Sequence, residues 1–201
     1  MSIKLTERDQ RIISYLKSVK VANTTTLLIL FFSNCNYYTG VQRLSKLVKE
    51  KHIKVFSENV MSENIYYIGQ KPRNYKHKLL FSSTMAYLKE NQCEILNYKT
   101  PLQVGNLIAD GYVEVKYNNK MYNLFIENEI SKKLNIAKYE DLYFSRSYKQ
   151  YWDIFPIILC TTSKPAVRSK YLKVIFIKND KLASKKLYKK IRQNNDSKTT
   201  L

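Results

Sequence analysis

The sequence predicts an α+β protein, and three observations support that prediction. Apolar residues recur at helical spacing through most of the first fifty positions. Runs rich in β-branched and aromatic residues follow, and two of them flank the turn-forming pair Asn118 and Asn119. Apolar residues make up 44% of the 201 positions, which is enough for a core in one large or two small domains. A chain that is disordered throughout is therefore excluded.

The net charge limits the class of partner. The chain has 35 Lys and Arg against 16 Asp and Glu, a formal net charge of +19. This excess is larger than solubility requires and attracts polyanions, so nucleic acid or an anionic membrane surface is the expected partner. No apolar run approaches the roughly 20 residues that a bilayer span needs. We expect no membrane association, and double-stranded DNA becomes the leading partner.

Cysteine and histidine usage predicts neither disulfides nor a zinc site. The three cysteines lie tens of residues apart, and only two histidines are present. The first residues also lack the apolar segment of a secretion signal. We therefore expect a cytoplasmic protein with reduced cysteines, no metal and no other cofactor.

Two helices are predicted before residue 33. Thr6 and Asp9 form a capping-box pattern, and Ile12, Leu16 and Val19 then recur at helical spacing. A second, short and very apolar helix is expected to start at Asn23 or Thr24. Its character suits the middle helix of a three-helix DNA-binding unit, which packs against both neighbours.

The third predicted helix, residues 39–51, has the character of a recognition helix. Its apolar residues fall on one side of the helical wheel, and polar and basic side chains occupy the other side. Thr39 and Gln42 repeat the capping-box pattern at its start. Arg and Gln match guanine and adenine edges, whereas Lys binds guanine or phosphate. The candidate DNA-binding residues are Thr39, Gln42, Arg43, Ser45, Lys46, Lys49 and, just beyond the helix, Lys54.

A β-hairpin is predicted after this helix. Two strand-like runs, residues 53–56 and 65–69, enclose the polar residues 57–64. Three helices followed by a hairpin is the winged-helix order, which defines an expected DNA-binding domain over residues 1–70. The wing contains Glu58 and Glu63 and no basic residue, so we expect it to pack or pair with another subunit rather than enter a minor groove. The polar face of the third predicted helix, residues 39–51, would also be expected of an ordinary solvated helix that binds no DNA.

A second, α/β domain is expected over residues 71–180. It contains a helix over 75–90, strands over 94–98, 107–117 and 121–130, a helix over 131–151, a buried strand over 154–160 and a final strand over 171–177. Residues 181–201 are predicted to form a basic helix and tail. A solvated terminus is the alternative for that tail, but if it touches DNA we expect phosphate contacts from Lys185, Lys186, Lys189 and Lys190.

The arrangement resembles a known family. The segment 5–9, the segment 43–48 running into a wing, and two strands that hold Asp110 and Glu127 resemble the replication-relaxation family of plasmids and other mobile elements. The similarity spans roughly residues 5 to 175. It implies a winged helix fused to a domain of restriction-endonuclease-like topology, with roles in plasmid replication, DNA relaxation and conjugative transfer.

The resemblance raises the question of catalysis. Restriction-endonuclease-like enzymes place an Asp on one strand and an acid, one residue and a Lys on the next, so that the carboxylates hold Mg²⁺. Here Asp110 precedes Glu127, and Glu129 stands where the lysine is expected. Lys132, Lys133 or Glu114 could substitute, but we favour an inactive scaffold over a nuclease. The same acids would also suit an exposed strand or a salt bridge.

The sequence thus predicts a sequence-specific binder of double-stranded DNA that belongs to a plasmid or mobile element. It would act as a homodimer, accessory to replication initiation or to DNA relaxation and transfer, with replication or transfer proteins as further partners. A transcriptional repressor of such an element, a metal-dependent nuclease and a protein-interaction adaptor are the alternatives.

Overall fold

The computed structural model describes residues 4–129, 133–162 and 168–182, which form a mixed α+β structure of two compact units. Of the described residues, unit 1 takes in those up to Tyr87 together with Lys181 and Leu182, and unit 2 takes in those from Leu88 to Asp180. Lys132 and the predicted phosphate-contacting residues Lys185, Lys186, Lys189 and Lys190 lie outside the described residues. Within the described ranges, no helix combines the length and apolar character that a membrane crossing requires.

Unit 1 has the element order helix, strand, helix, helix, strand, strand, helix. The elements are α1 Glu7–Val19, β1 Val21–Asn23, α2 Thr24–Phe31, α3 Tyr37–Lys49, β2 Lys54–Phe56, β3 Ile65–Tyr67 and α4 Tyr75–Glu90, whose last three residues belong to unit 2. The three strands form an antiparallel sheet in the order β1-β3-β2. Sequence patterns did not predict β1, because three residues are too few to show alternation.

The first two helices start where the sequence predicts. At α1, the Thr6 side chain accepts a hydrogen bond from the Asp9 amide at 3.3 Å, and Asp9 Oδ2 accepts one from the Thr6 amide at 2.7 Å. At α2, Asn23 Oδ1 accepts from the Thr26 amide at 2.9 Å. Both caps satisfy amide groups that a helix leaves without internal partners.

The third helix starts earlier than predicted, so the capping box at Thr39 is wrong. Asn36 is the N-cap, and its Oδ1 accepts from the Thr39 amide at 2.8 Å. Gly40 is buried inside α3, where a Cβ atom would lie 2.3 Å from Leu28 Cδ2 and 3.2 Å from Phe32 Cγ. The glycine therefore lets α3 approach α2 closely. The helix also ends earlier, at Lys49, and Lys51 adopts a positive φ of 60°.

Unit 2 is built on a five-stranded sheet in the order β10-β9-β8-β7-β4. Strands β4, β7 and β8 pair antiparallel, and β8, β9 and β10 pair parallel. The elements are β4 Glu94–Lys99, β5 Leu102–Val104, β6 Leu107–Ala109, β7 Gly111–Tyr117, β8 Lys120–Glu129, α5 Ala137–Phe144, a 3-10 helix Ser147–Gln150, β9 Ile157–Thr162 and β10 Val174–Lys178. Helix α6, Asn179–Leu182, ends the described chain.

Two predictions in this unit are confirmed. Asn118 and Asn119 have positive φ angles of 48° and 59°, as the tight turn between β7 and β8 requires. The apolar run before Cys160 contributes to β9, which lies between two neighbours and has five of its six residues buried, but the strand starts at Ile157 rather than at the predicted residue 154. Its parallel pairing with β8 and β10 explains why the run shows no alternation.

Two other predictions in this unit are wrong. The expected strand over 107–117 is interrupted at Asp110, because Leu107–Ala109 pairs with β5 in a separate hairpin and only Gly111–Tyr117 joins the main sheet. The expected helix over 131–151 is shorter, since it gives way after Phe144 and Arg146 adopts a left-handed φ of 57° before the 3-10 helix. Local patterns contain no information on either pairing or interruption.

Candidate nucleic-acid interface

Helix α3 exposes one continuous polar face. Its other face is buried through Gly40, Leu44 and Leu47, which pack into unit 1. The exposed side chains recur at spacings of three and four residues, so they lie along one side of the helix. We name this set the α3 stripe: Tyr38, Thr39, Gln42, Ser45, Lys46 and Lys49.

Tyr38 was not predicted as a member of the stripe. It lies in the first turn of α3 and is 60% exposed. The helix predicted from the sequence starts at Thr39, so Tyr38 lies outside the predicted range. The signal that would have found it is Asn36, which is as good an N-cap residue as Thr39.

Lys46 and Lys49 project from the second half of the stripe. Within the described ranges neither has a carboxylate partner, so both charges face solvent. Thr39 is exposed too, and its hydroxyl donates to Asn36 Oδ1 at 3.1 Å. Lys54 follows at the start of β2, where its Nζ donates to the Gly69 carbonyl at 2.9 Å. The basic residues therefore continue from α3 onto the hairpin.

Arg43 differs from the other predicted DNA-binding residues because its guanidinium faces α1. Its Nε donates to Asp9 Oδ1 at 2.9 Å, its Nη2 forms an ion pair with Asp9 Oδ2, and Nη2 also donates to the Lys4 carbonyl at 3.3 Å. The side chains of Arg43 and Asp9 are 23% and 1% exposed. The Nε and Nη2 donors are engaged within the protein and the side chain faces α1, so we leave Arg43 out of the stripe.

Asp9 is held in its ionised form. Burial raises the pKa of Asp9, but hydrogen bonds from Arg43 and Thr6 outweigh burial and lower the pKa from 3.8 to about 2. The same carboxylate both caps α1 and binds Arg43 of α3. Asp9 therefore fixes the position of α3 against α1, which sets the direction in which the stripe faces.

The two acidic residues of the hairpin loop pack within unit 1. Glu58 accepts a hydrogen bond from the Tyr75 hydroxyl and lies 3.3 Å from Lys76 Nζ, both at the start of α4. The Tyr75 hydroxyl and then Lys76 lower the pKa of Glu58. Glu63 accepts from the Thr25 hydroxyl of α2, and burial raises the pKa of Glu63. Of the two expectations for these acids, packing is the one that the contacts support.

Two of the candidate carboxylates of unit 2, Asp110 and Glu127, belong to one polar cluster. Asp110 Oδ2 accepts from the Asn128 amide at 2.7 Å. Glu127 is buried, lies 2.6 Å from Lys138 Nζ and accepts a hydrogen bond from the Tyr139 hydroxyl. Burial raises the pKa of Glu127, and Lys138 partly opposes this shift. Glu127 is thus bound by a lysine and a tyrosine of the following helix.

Lys138 is the basic residue that the sequence analysis missed. It comes from the first turn of α5, and its Nζ also donates to the Ile108 carbonyl at 2.9 Å. Lys133, one of the substitutes considered, is exposed, and Glu114 lines an open cleft with Tyr112, Asn123 and Trp152. Among the residues that the structure describes, no group of three or more His, Cys, Asp and Glu side chains is placed to hold a metal ion.

No protein-family model, no curated protein and no solved structure matches the chain. The resemblance to the replication-relaxation family therefore remains a prediction from the sequence.

Proposed function

We propose that the chain is a winged-helix protein that binds double-stranded DNA through the α3 stripe. The order α1-β1-α2-α3-β2-β3, with a sheet in the order β1-β3-β2, is the arrangement expected of a winged helix. In such proteins the helix before the hairpin lies in the major groove. Helix α3 has 13 residues and is about 20 Å long, and it fits a groove about 12 Å wide.

The observation that supports this proposal most is the composition of the stripe. One amide side chain and two lysines share the exposed face of a helix whose opposite face is fixed in the core. Gln42 can bind adenine through two hydrogen bonds, and Lys46 and Lys49 neutralise phosphates. With Arg43 bound to Asp9, Gln42 is the side chain we expect to contribute most to base preference.

We also propose a biological role, which depends on the resemblance. The protein acts on a plasmid or mobile element as an accessory factor in replication initiation or in DNA relaxation and transfer. Two copies bind two half-sites about one helical turn apart. A transcriptional repressor would use the same stripe, and the position of the bound site within the element distinguishes these roles.

Selection of bound fragments from the encoding element, followed by footprinting, tests the DNA-binding proposal directly. On the selected site, Gln42→Ala should weaken binding by about 1–3 kcal/mol and leave binding to random DNA unchanged. Lys46→Ala and Lys49→Ala should weaken binding to every sequence. Each should also reduce the slope of the logarithm of the binding constant against the logarithm of the salt concentration by about one.

Lys120→Ala is the charge-matched control, because Lys120 is exposed on the turn between β7 and β8 of unit 2. Losses of equal size in Lys120→Ala and Lys46→Ala would mean that only net charge attracts DNA. The α3 stripe would then not be the binding site.

For unit 2 we propose a restriction-endonuclease-like scaffold that lacks nuclease activity. The order β4-β7-β8-α5-β9, preceded in the chain by α4 and with the hairpin of β5 and β6 inserted, supports the topology. The Lys138 ammonium on Glu127 supports inactivity, because it neutralises a carboxylate that a divalent cation would need. Cutting of DNA that requires Mg²⁺ or Mn²⁺ and disappears in Asp110→Ala and Glu127→Ala would contradict it.

A further inference from the structure

The apex of the hairpin loop consists of two apolar side chains in water. Val60 and Met61 lie between β2 and β3 and are 99% and 94% exposed. Neither contributes to the core of unit 1. Since exposure of two adjacent large apolar side chains costs solvation free energy, their position calls for an external partner.

The loop that presents them is ordered by its own hydrogen bonds. Ser62 Oγ accepts from the amides of Glu58 and Asn59, both at 3.0 Å, and the Ser62 amide donates to the Asn59 carbonyl at 3.1 Å. The Met61 amide donates to Asn59 Oδ1 at 3.0 Å. The apex is therefore preorganised, and a partner would lose little free energy by ordering it.

The charges around the loop suit a polyanion. The two carboxylates of the loop face α4 and α2, where Tyr75 and Thr25 bind them. Lys71 Nζ lies 3.6 Å from the centre of the ring of Phe56, where β2 meets the loop, and interacts with Glu58; Lys54 is exposed at the other end of β2. The hairpin thus presents an apolar apex, with lysines at both ends of β2.

The size of the apex argues against a second protein as the partner. Two side chains at the end of a loop supply a small part of the roughly 1,200–2,000 Å² that a stable protein interface buries. A groove in DNA requires only a narrow insertion. Val60 lies four positions beyond Phe56, the last residue of β2, at most about 13 Å of chain, and a minor groove is about 7.5 Å deep.

We propose that Val60 and Met61 form a wedge that enters the minor groove beside the site of α3 and partly unstacks one base step. This inference depends on the proposed function, because α3 must first hold the duplex. Apolar wedges of this kind kink DNA by about 20–90° towards the major groove. The proposed wedge replaces the expectation from the sequence that the hairpin loop, with Glu58 and Glu63, stays out of the minor groove.

The test uses the full chain and a duplex that carries the selected site, with 2-aminopurine placed in turn at the steps that flank the α3 footprint. Binding should raise 2-aminopurine fluorescence at one step and shorten the distance between dyes on the duplex ends. The double variant Val60→Ser/Met61→Ser should lose both signals and bind about ten-fold more weakly, since unstacking permits further contacts.

Ile154→Ser is the matched control, because Ile154 is an exposed apolar residue of unit 2. It should leave both signals and the affinity unchanged. If the wild-type protein binds the site but neither signal appears, the wedge is refuted and the DNA-binding proposal stands. If the double variant instead changes the oligomeric state and keeps both signals, the apex joins two copies and the wedge is again refuted. Failure of the wild-type protein to bind any fragment would refute both proposals.

Discussion

The ion pair between Asp9 and Arg43 provides a quantitative test of the fold of unit 1. Asp9→Asn keeps the size and the capping capacity of the side chain but removes the charge. The pKa of Asp9 falls from 3.8 to about 2, which corresponds to about 2.5 kcal/mol of stabilisation by the ionised form. Removing one partner of a fully buried pair costs about 3–5 kcal/mol, and Arg43 is partly reached by water. We therefore expect a loss of about 2–3 kcal/mol at pH 7.

Urea unfolding followed by circular dichroism would measure this loss and its pH dependence. Because the folded-state pKa is depressed, the contribution of Asp9 is present above about pH 4 and is lost as the pH falls through about 2. The difference in the free energy of unfolding between wild type and Asp9→Asn should therefore shrink across that interval. A difference that stays constant from pH 7 to pH 2 would refute the role of the ionised carboxylate.

A double-mutant cycle isolates the pair itself. Arg43→Met should also destabilise unit 1, and Asp9→Asn/Arg43→Met should be more stable than the sum of the single losses predicts. We expect a coupling of about 1–2 kcal/mol, whereas independent sites add to within about 0.3–0.5 kcal/mol. Additive losses would show that the two side chains do not depend on each other. Folded Arg43→Met should also retain the base preference of the wild-type protein.

Two further predictions concern packing and charge. Gly40→Ala should lower the free energy of unfolding by about 1–3 kcal/mol, because the added Cβ would meet Leu28 and Phe32. The control Ser45→Ala changes an exposed residue of the same helix and should be neutral or stabilising. If urea unfolding gives the same result for both variants, the close approach of α2 and α3 is contradicted. Lys138→Met should make unit 2 lose stability more steeply as the pH rises above about 4.5, because Glu127 already has a raised pKa and would lose the ammonium that supports its ionised form. The double variant Glu127→Gln/Lys138→Met should remove this pH dependence. If Lys138→Met shows the same pH profile as the wild type in urea unfolding, the result counts against the ion pair.

The sequence predicted those features of the fold that depend on residues close together in the chain. The caps at Thr6 and Asn23, the Asn118-Asn119 turn and the buried strand β9 each depend on residues within a few positions of one another. Helix α3 shows the limit of such signals, since Asn36 and Thr39 are both suitable caps and only the packing of Gly40 on α2 favours the earlier start.

Contacts between residues far apart in the chain could not be predicted from the sequence. Asp9 satisfies a capping box, and nothing near it indicates that the same carboxylate also binds Arg43, 34 positions later. The contact between Glu127 and Lys138 was hidden for the same reason, because α5 had first to return to the C-terminal end of β8. A helical wheel shows which side chains point away from the core, but it does not show which of them a neighbouring helix binds.

The separation of Arg43 from the stripe has a consequence for engineering. Positions 42, 45, 46 and 49 are exposed on one face of α3, so under the proposed function their side chains can be exchanged to change the DNA target with little effect on the scaffold. Positions 9 and 43 behave as one unit, and a library that randomises position 43 alone should mostly return destabilised proteins. Retargeting should therefore keep Asp9 and Arg43 fixed and vary the four outward positions.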